Sequence, residues 1–272
     1  MKRLIVVSDW AADSLACEEF RVATEGFLES DIIPDVSFVS AQPSTLHVGF
    51  LASQIVETVD RYGAPLDTVI MVGTDPRLPV TNTEEKGRPG EFFILRLYSG
   101  LYVCGPNTGY TFSLLKSKID RAFTYKLEDN FHQNRTRDLY SRITAHLLEA
   151  MQDDLDLDEV HTNLIPQLDH YIVGHVDVFG NIKTNIPKEE LKQHIPGAEI
   201  EVTLNGQTKK VTYVMHLFDG EPGRLVIYPG TSGPPDNPFL EISIWQPLAE
   251  ELGKTGMHEF KSPQPGMAIT IG

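Results

Sequence analysis

The sequence predicts an α/β amino-terminal domain built on a mostly parallel sheet, followed by a small carboxyl-terminal domain that is an all-β barrel. Two observations carry this expectation. Apolar runs alternate with amphipathic helical stripes in the first part of the chain, and short strands separated by Gly and Pro fill the second part. We place the boundary at residue 165, which gives predicted domains of residues 1–165 and 166–272.

The predicted elements of the first domain alternate between strand and helix. Leu4-Ile5-Val6-Val7 is typical of a strand buried on both faces, and Leu51, Ile55 and Val59 share one face of a later helix. In chain order we expect a strand at 4–7, a helix at 16–27, an extended segment at 31–39, a helix at 46–61, strands at 68–72, 92–97 and 101–104, and a helix at 135–151. This alternation indicates a sheet covered by Rossmann-like layers of helices.

The pattern changes after an acidic segment at residues 153–159, which we expect to be a solvated loop or linker. Beyond it we expect one short helix, at residues 188–194. The remaining elements are short strands, expected at 171–178, 198–204, 210–215, 225–228, 239–244 and 267–271. Short strands punctuated by Gly and Pro predict a small barrel.

The charge of the protein argues against nucleic acid and membrane partners. Lys and Arg number 23 against 38 Asp and Glu, which gives a formal net charge of -15 over 272 residues. Such a surface repels phosphate groups, and the sequence has no basic run. No apolar run approaches the roughly 18 residues of a membrane helix, and the two cysteines, Cys17 and Cys104, fit a reducing compartment. We therefore expect a soluble cytoplasmic protein.

Several common catalytic motifs are absent from the sequence. It contains no G-x-x-x-x-G-K-[ST] phosphate loop, no G-x-G-x-x-G after the first strand and no G-x-S-x-G nucleophile elbow. It also lacks H-E-x-x-H and C-x-x-C, so we expect no metal site. The candidates are instead polar side chains at the ends of predicted strands, where ligands bind in open α/β sheets.

The first strand runs into Ser8-Asp9-Trp10, and Asp13 follows at the start of the next helix. A carboxylate at a strand end has two acceptor oxygens and can bind both hydroxyls of a ribose. The alternative is structural, with Asp13 as a helix N-cap and Asp9 as a turn residue. For Asp9 followed by Trp10 we favour ligand binding.

Two further motifs have the same character. Asp75 and Arg77 follow the strand at 68–72, where they can orient a water or polar substrate, or form a surface ion pair. In the second domain Asp177, Phe179 and Asn181 surround Gly180. Phe179 can stack on a planar ring, although the segment also fits a tight β-turn. Together the three motifs suggest a nucleoside-like ligand held between two domains.

These motifs resemble those of the S-adenosyl-L-methionine (SAM) hydroxide adenosyltransferases, relatives of the fluorinase and chlorinase enzymes. The family's T/S-D-F/L-G motif with a second Asp is similar to Ser8-Asp9-Trp10-Ala11 with Asp13. Further matches are Gly73-Thr74-Asp75-Pro76, residues 102–109, the D-x-F-G-N-x-x-T-N-I string at 177–186, and more loosely Ser232-Gly233 before the strand at 239–244. The matches span nearly the whole chain in order.

The resemblance implies a homotrimer with ligand sites between the amino-terminal domain of one subunit and the carboxyl-terminal domain of its neighbour. It implies hydrolysis of SAM to adenosine and L-methionine by attack on C5′, with no cofactor beyond the substrate. The implied substrate-binding residues are Asp9, Trp10, Asp13, Asp177, Phe179, Asn181 and Ser232. Asp9 would hold the ribose, Asp13, Asp177 and Asn181 the methionine or ribose end, and Phe179 would pack on the ligand. The implied catalytic residues, which orient water, are Asp75, His132 and Arg77.

The water-activating group departs from the family pattern. In the hydrolase branch it consists of an Asp, an Arg shortly after it and a later His. Asp75 matches the Asp, but the family spacing reaches Asn82 where the Arg is expected, which leaves Arg77 and Arg88 as candidates. Because the water-type Asp75 is retained, nothing favours chloride or fluoride as the nucleophile.

Two other segments differ from relatives. The family's F-H-G-R-D string aligns with His132 if the segment carries a three-residue insertion, and with Arg135 if it does not. Trp245 stands in the segment that wraps adenine in relatives. These departures motivate a second hypothesis, a catalytically silent protein of the same fold that binds adenosine or SAM. A third is an unrelated nucleoside-processing enzyme of similar architecture.

Overall fold

The computed structural model describes residues 1–74, 91–125, 134–245 and 254–272. The chain forms two compact units, Met1–Leu168 and Asp169–Gly272. The sequence predicts the boundary at residue 165, and Ile165, the last residue of the predicted first domain, is buried in the core of the first unit. Lys116 Nζ donates to the Ile165 carbonyl at 2.8 Å and Ser113 Oγ to that of Pro166 at 2.8 Å. These contacts hold residues 165 and 166 to the first unit.

The first unit is built on a seven-stranded sheet. Its strands are β1 (Arg3–Ser8), β2 (Asp35–Ser40), β3 (Thr68–Gly73), β4 (Phe92–Leu97), β5 (Tyr102–Pro106), β6 (Ile119–Tyr125) and β7 (Leu157–Val160). The strand order is β2-β1-β3-β5-β4-β6-β7. Pairing is parallel from β2 through β5, which confirms the parallel sheet predicted for this half, and antiparallel from β5 to β7.

Helices pack on both faces of this sheet. They are α1 (Ser14–Gly26), α2 (Thr45–Tyr62) and α3 (Ser141–Leu148). Val48 and Val56 of α2 pack in one core cluster with Ile5 and Ile70, side chains on one face of the sheet. Phe20 of α1 and Ile143 of α3 pack in another cluster with Leu4 and Met71, which point to the opposite face. The comparison with Rossmann-like layers stays a prediction. None of the helices in the described ranges is long and apolar enough to cross a membrane.

The second unit contains another seven-stranded sheet and the short helix α4 (Gly256–Glu259). Its strands are β8 (Val173–Val176), β9 (Ile182–Pro187), β10 (Glu199–Leu204), β11 (Gln207–Tyr213), β12 (Leu225–Pro229), β13 (Phe239–Ile244) and β14 (Ile269–Ile271). The order is β14-β10-β11-β12-β13-β9-β8. An antiparallel bridge between Ile172 and Ala268 joins the two edges, so the sheet is nearly closed. The predicted barrel-like domain is confirmed.

The structure corrects three local expectations. The segment predicted as an acidic loop contains β7, which pairs with β6, because Leu155 is buried and Leu157 packs against the same core cluster. The helix predicted to reach residue 151 ends at Leu148, since Ala150 adopts a left-handed φ of 59°. The helix predicted at 188–194 is a 3₁₀ turn, Lys188–Leu191.

Candidate functional site

The candidate site in the first unit lies where the strand order of the sheet reverses. The chain leaves β1 for β2 on one side and later returns to β3 on the other side of β1. The carboxyl ends of β1 and β3 therefore form a topological switch point, the place where open α/β sheets bind ligands. Ser8 ends β1 and is paired with Gly73 at the end of β3. Asp9 and Thr74, which follow these residues, lie at the switch point.

Asp9 is fixed across the two strand ends. Thr74 Oγ1 donates to Asp9 Oδ2 at 3.1 Å, and the Asp9 amide donates to the Gly73 carbonyl at 3.3 Å. Thr74 is buried, whereas Asp9 is partly exposed. A carboxylate oriented by a buried hydroxyl and reachable from solvent suits the recognition of a hydroxyl-bearing ligand.

Trp10 forms an apolar wall beside this carboxylate. Its ring packs against Phe20 of α1 at 5.5 Å and against Phe38 of β2 at 6.1 Å between centroids. A Cβ atom on Gly73 would lie 3.0 Å from Trp10 Nε1, so the indole and the end of β3 are in close contact. Trp10 and Phe20 also line a cavity of about 210 Å³, together with Asn134 and Arg137. The structure thus brings Asp9 and Trp10 together at one edge of the sheet.

Asp13 occupies the N-cap of α1. Its Oδ1 accepts hydrogen bonds from the amides of Leu15 at 3.0 Å and Ala16 at 3.4 Å, and its side chain is exposed. This is the structural alternative considered for the residue, because an N-cap oxygen satisfies amides that have no partner within the helix. A role of Asp13 in ligand binding stays a prediction.

Asp13→Ala is expected to lower the free energy of unfolding by about 1 kcal/mol, the usual cost of removing an N-cap. Asp13→Ser is expected to keep most of that stability, since Ser is also a favoured N-cap. Thermal denaturation of both variants checks the cap. Equal stability of the Ala and wild-type proteins would contradict it, and a loss of ligand affinity in the Ser variant would show a second role.

The candidate residues of the second unit lie in the turn between β8 and β9. Asp177 Oδ1 accepts from the amides of Phe179 at 2.9 Å and Asn181 at 3.0 Å, and Asp177 Oδ2 accepts from Asn181 Nδ2 at 2.9 Å. Val178 and Phe179 project from this turn and are 95% and 76% exposed. The predicted polar groups are therefore used within the turn, and the aromatic ring is presented to solvent.

Ser232 is buried, unlike the other candidates in this unit. It is 3% exposed, and its hydroxyl lies 3.4 Å from Oε1 of Glu241, which is also 3% exposed. The Glu241 carboxylate further accepts from Lys183 Nζ at 2.7 Å and from the amide of Thr231 at 2.9 Å. Ser232 thus anchors the turn after β12 to a buried ion pair, and it does not face solvent.

Sequence reasoning missed this buried ion pair and its neighbour Tyr228. The Tyr228 hydroxyl donates to Glu241 Oε2 at 3.2 Å, and burial together with the nearby carboxylate raises the pKa of Tyr228. Register pairs Glu241 with both Lys183 and Tyr228, so the three side chains form a row across β9, β13 and β12. A signal was available, since Glu241 stands between the apolar Leu240 and Ile242 in a predicted strand.

The residues predicted to orient water lie outside the described residues. They are Asp75, Arg77 and His132, together with the alternative candidate Arg88 and with Asn82. Their roles stay predictions. Arg135, the alternative to His132, is described and lies at the N-cap of the π-helix Thr136–Tyr140, which leads directly into α3.

Two solved structures share the fold of the whole chain. A crystal structure of an uncharacterized conserved protein from Thermotoga maritima has a TM-score of 0.68 and 18% identity, and covers 98% of this chain and 99% of that one. A conserved hypothetical protein from Thermus thermophilus has a TM-score of 0.64 and 18% identity over the full length of both chains. At this identity the likeness shows the fold alone.

Sequence comparison finds two similarities to known proteins. Residues 172–256 match the family model described as the SAM hydroxide adenosyltransferase C-terminal domain. The (R)-S-adenosyl-L-methionine hydrolase of Methanocaldococcus jannaschii is 29% identical over 191 residues. That alignment covers 64% of this chain and 64% of the length of the curated relative. The similarity to the SAM hydroxide adenosyltransferases therefore consists of a family-model match at residues 172–256 and a partial alignment with one curated relative.

Proposed function

We propose that the protein hydrolyses SAM to adenosine and L-methionine. The observation that carries the proposal is the Asp9 carboxylate at the β1/β3 switch point, 3.1 Å from the Thr74 hydroxyl and beside the Trp10 ring. This position suits a ligand with a ribose diol and a flat base. The name of the 29% identical relative, an (R)-S-adenosyl-L-methionine hydrolase, supports the same substrate.

The proposed reaction is a substitution at C5′ of the ribose. The oxygen of water forms a bond to C5′, the C5′–S bond breaks, and its electron pair returns to sulfur to give the neutral thioether of methionine. The sulfonium is already a good leaving group, so no general acid and no cofactor are needed at sulfur. Catalysis then consists of orienting a water in line with the C5′–S bond and taking up its proton. We assign this task to Asp75 and His132, with Arg77 as the candidate cation.

The proposed substrate contacts are those that the resemblance implies. Asp9 binds the ribose hydroxyls and Trp10 provides an apolar contact, while Phe179 packs against the ligand. Asp13, Asp177, Asn181 and Ser232 complete the proposed set. The internal hydrogen bonds of Asp177 and Asn181 and the burial of Ser232 indicate that these three residues act mainly by shaping their turns.

We also propose that the protein is a homotrimer. Light scattering of the purified protein checks this by measuring its mass in solution.

Incubation of the purified protein with SAM tests the function. We expect adenosine and L-methionine in equal amounts by chromatography, above the slow decay of SAM with heat-denatured protein. Binding of SAM or adenosine by calorimetry without turnover would reject the hydrolase. That outcome would favour the silent adenosine- or SAM-binding protein suggested by the missing family Arg after Asp75. A failure to bind either ligand would reject both versions.

A further inference from the structure

The turn at residues 177–181 presents apolar side chains outward and turns its polar atoms inward. Val178 and Phe179 are largely exposed, whereas both carboxylate oxygens of Asp177 accept hydrogen bonds from inside the turn. A flexible turn would allow Phe179 to collapse onto the barrel and reduce its exposed area. The internal bonds therefore hold the ring in a conformation from which it can contact a partner molecule.

Ser243 of β13 connects this turn to the barrel. Its hydroxyl donates to Asn181 Oδ1, while Asn181 Nδ2 donates to Asp177 Oδ2 at 2.9 Å. The oxygen and the nitrogen of the Asn181 side-chain amide are thereby both hydrogen-bonded, which fixes the orientation of this side chain. Ser243 is 1% exposed, so its hydroxyl is buried, and it donates a hydrogen bond to Asn181. A chain of three side chains thus runs from the barrel wall to the base of the turn.

A second contact closes the turn from behind. Gly180 has a φ of 77°, and a Cβ atom there would lie 2.5 Å from Thr255 Oγ1. The Gly180 carbonyl accepts from the amide of Met257 at 2.9 Å. Because Thr255, the N-cap of α4, leaves no space behind Gly180, the turn cannot relax in that direction. At the other end of the turn, Ser243 donates to the side chain of Asn181.

We propose that Ser243 is a positioning residue for the ligand, acting through Asn181 and Asp177 to fix the turn that displays Phe179. The proposal rests on the proposed function, because the ligand that Phe179 meets is the adenosyl group. Ser243 itself touches no ligand in this scheme. Its contribution is preorganisation, since a turn already held in its binding conformation does not lose entropy when the ligand binds.

Ser243→Ala in the full-length protein tests the proposal. We expect faster hydrogen exchange of the Phe179 and Asn181 amides, which Asp177 binds in the wild type. We expect adenosine affinity to fall roughly three- to tenfold, the range for one net hydrogen bond, with kcat for SAM unchanged and KM raised. Thr203→Ala is the control, because it also removes a hydrogen bond made by the hydroxyl of a barrel strand, here between Thr203 of β10 and Thr208 of β11, away from the turn at 177–181.

A double-mutant cycle with Phe179→Ala separates positioning from general damage. If Ser243 acts through Phe179, adding Ser243→Ala to the Phe179→Ala protein should weaken adenosine binding no further. Additive losses, or unchanged exchange and affinity in Ser243→Ala, would overturn the proposal. If the wild type binds neither adenosine nor SAM, the proposed function fails and the display of Phe179 for that ligand fails with it. Hydrogen exchange still decides in that case whether Ser243 holds the turn.

Discussion

Asp9→Asn is expected to lower kcat/KM for SAM hydrolysis about 100-fold. Hydrogen bonds to a charged group contribute roughly 1.5–3 kcal/mol, and about 2.7 kcal/mol corresponds to a factor of 100 in rate. The substitution keeps the size of the side chain but replaces one carboxylate oxygen with an amino group. An amino group cannot accept from a ribose hydroxyl or from Thr74, which donates to Asp9 Oδ2 in the structure.

The measurement is the initial rate of adenosine formation at SAM concentrations well below KM, together with the affinity for adenosine. Asp35→Asn is the matched control, since Asp35 lies at the amino-terminal end of β2, away from the carboxyl ends of β1 and β3, and pairs with Arg3 at 3.4 Å. That variant should keep the wild-type rate. A wild-type rate in Asp9→Asn would show that SAM does not bind through Asp9 at the switch point.

The strands that the sequence predicts well are those whose burial depends on their own residues. β3 is expected at 68–72 and found at Thr68–Gly73, with every residue buried, and β13 is found at Phe239–Ile244 as expected. Continuous or alternating apolar residues specify such strands locally. Asp9 is likewise located by its place at the end of a predicted strand, because ligand sites in open sheets follow from strand ends.

Elements stabilised by distant partners were not predictable in this way. β6 carries Asp120 and Arg121, and no strand is expected there from its sequence. In the structure Arg121 pairs with Glu159 of β7 at 2.6 Å and Asp120 pairs with Arg96 of β4, so the charges of three strands match across the sheet. The acidic segment that contains Glu159 can form an edge strand because Arg121 of β6 lies beside it. This neighbour is known only from the fold.

The same limit applies to the second unit. Glu241 lies in a correctly predicted strand, but its burial depends on the turn after β12, which covers it. A Cβ atom on Gly230 would lie 2.2 Å from Glu241 Cγ, and the Thr231 amide binds its carboxylate. These contacts join residues about ten positions apart through the fold of a turn, and no periodic pattern reports them. The hydroxyl of Ser232, which the resemblance implies as a ligand contact, likewise lies 3.4 Å from Glu241 Oε1, and its role in ligand binding stays a prediction.

Glu241→Ala is expected to lower the free energy of unfolding by about 3–5 kcal/mol, the usual cost of removing one partner of a buried ion pair. The substitution leaves the Lys183 ammonium, whose side chain is 21% exposed, without its counter-ion. It also removes the acceptor for the hydroxyls of Tyr228, Thr231 and Ser232. Each buried donor left unpaired adds its own cost of desolvation.

Urea denaturation of the full-length protein measures this loss, and two variants define its origin. Glu199→Ala removes a partner of the exposed pair that Glu199 forms with Lys210 at 3.0 Å, and should cost less than about 1 kcal/mol. Lys183→Met with Glu241→Met replaces both charges by apolar groups and should recover part of the stability lost in Glu241→Ala. If Glu241→Ala lowers the free energy of unfolding no more than Glu199→Ala does, the Glu241 carboxylate does not stabilise the turn after β12. A double variant as unstable as the single one would instead show that the hydroxyl bonds to Glu241, and not its charge balance with Lys183, hold the turn after β12.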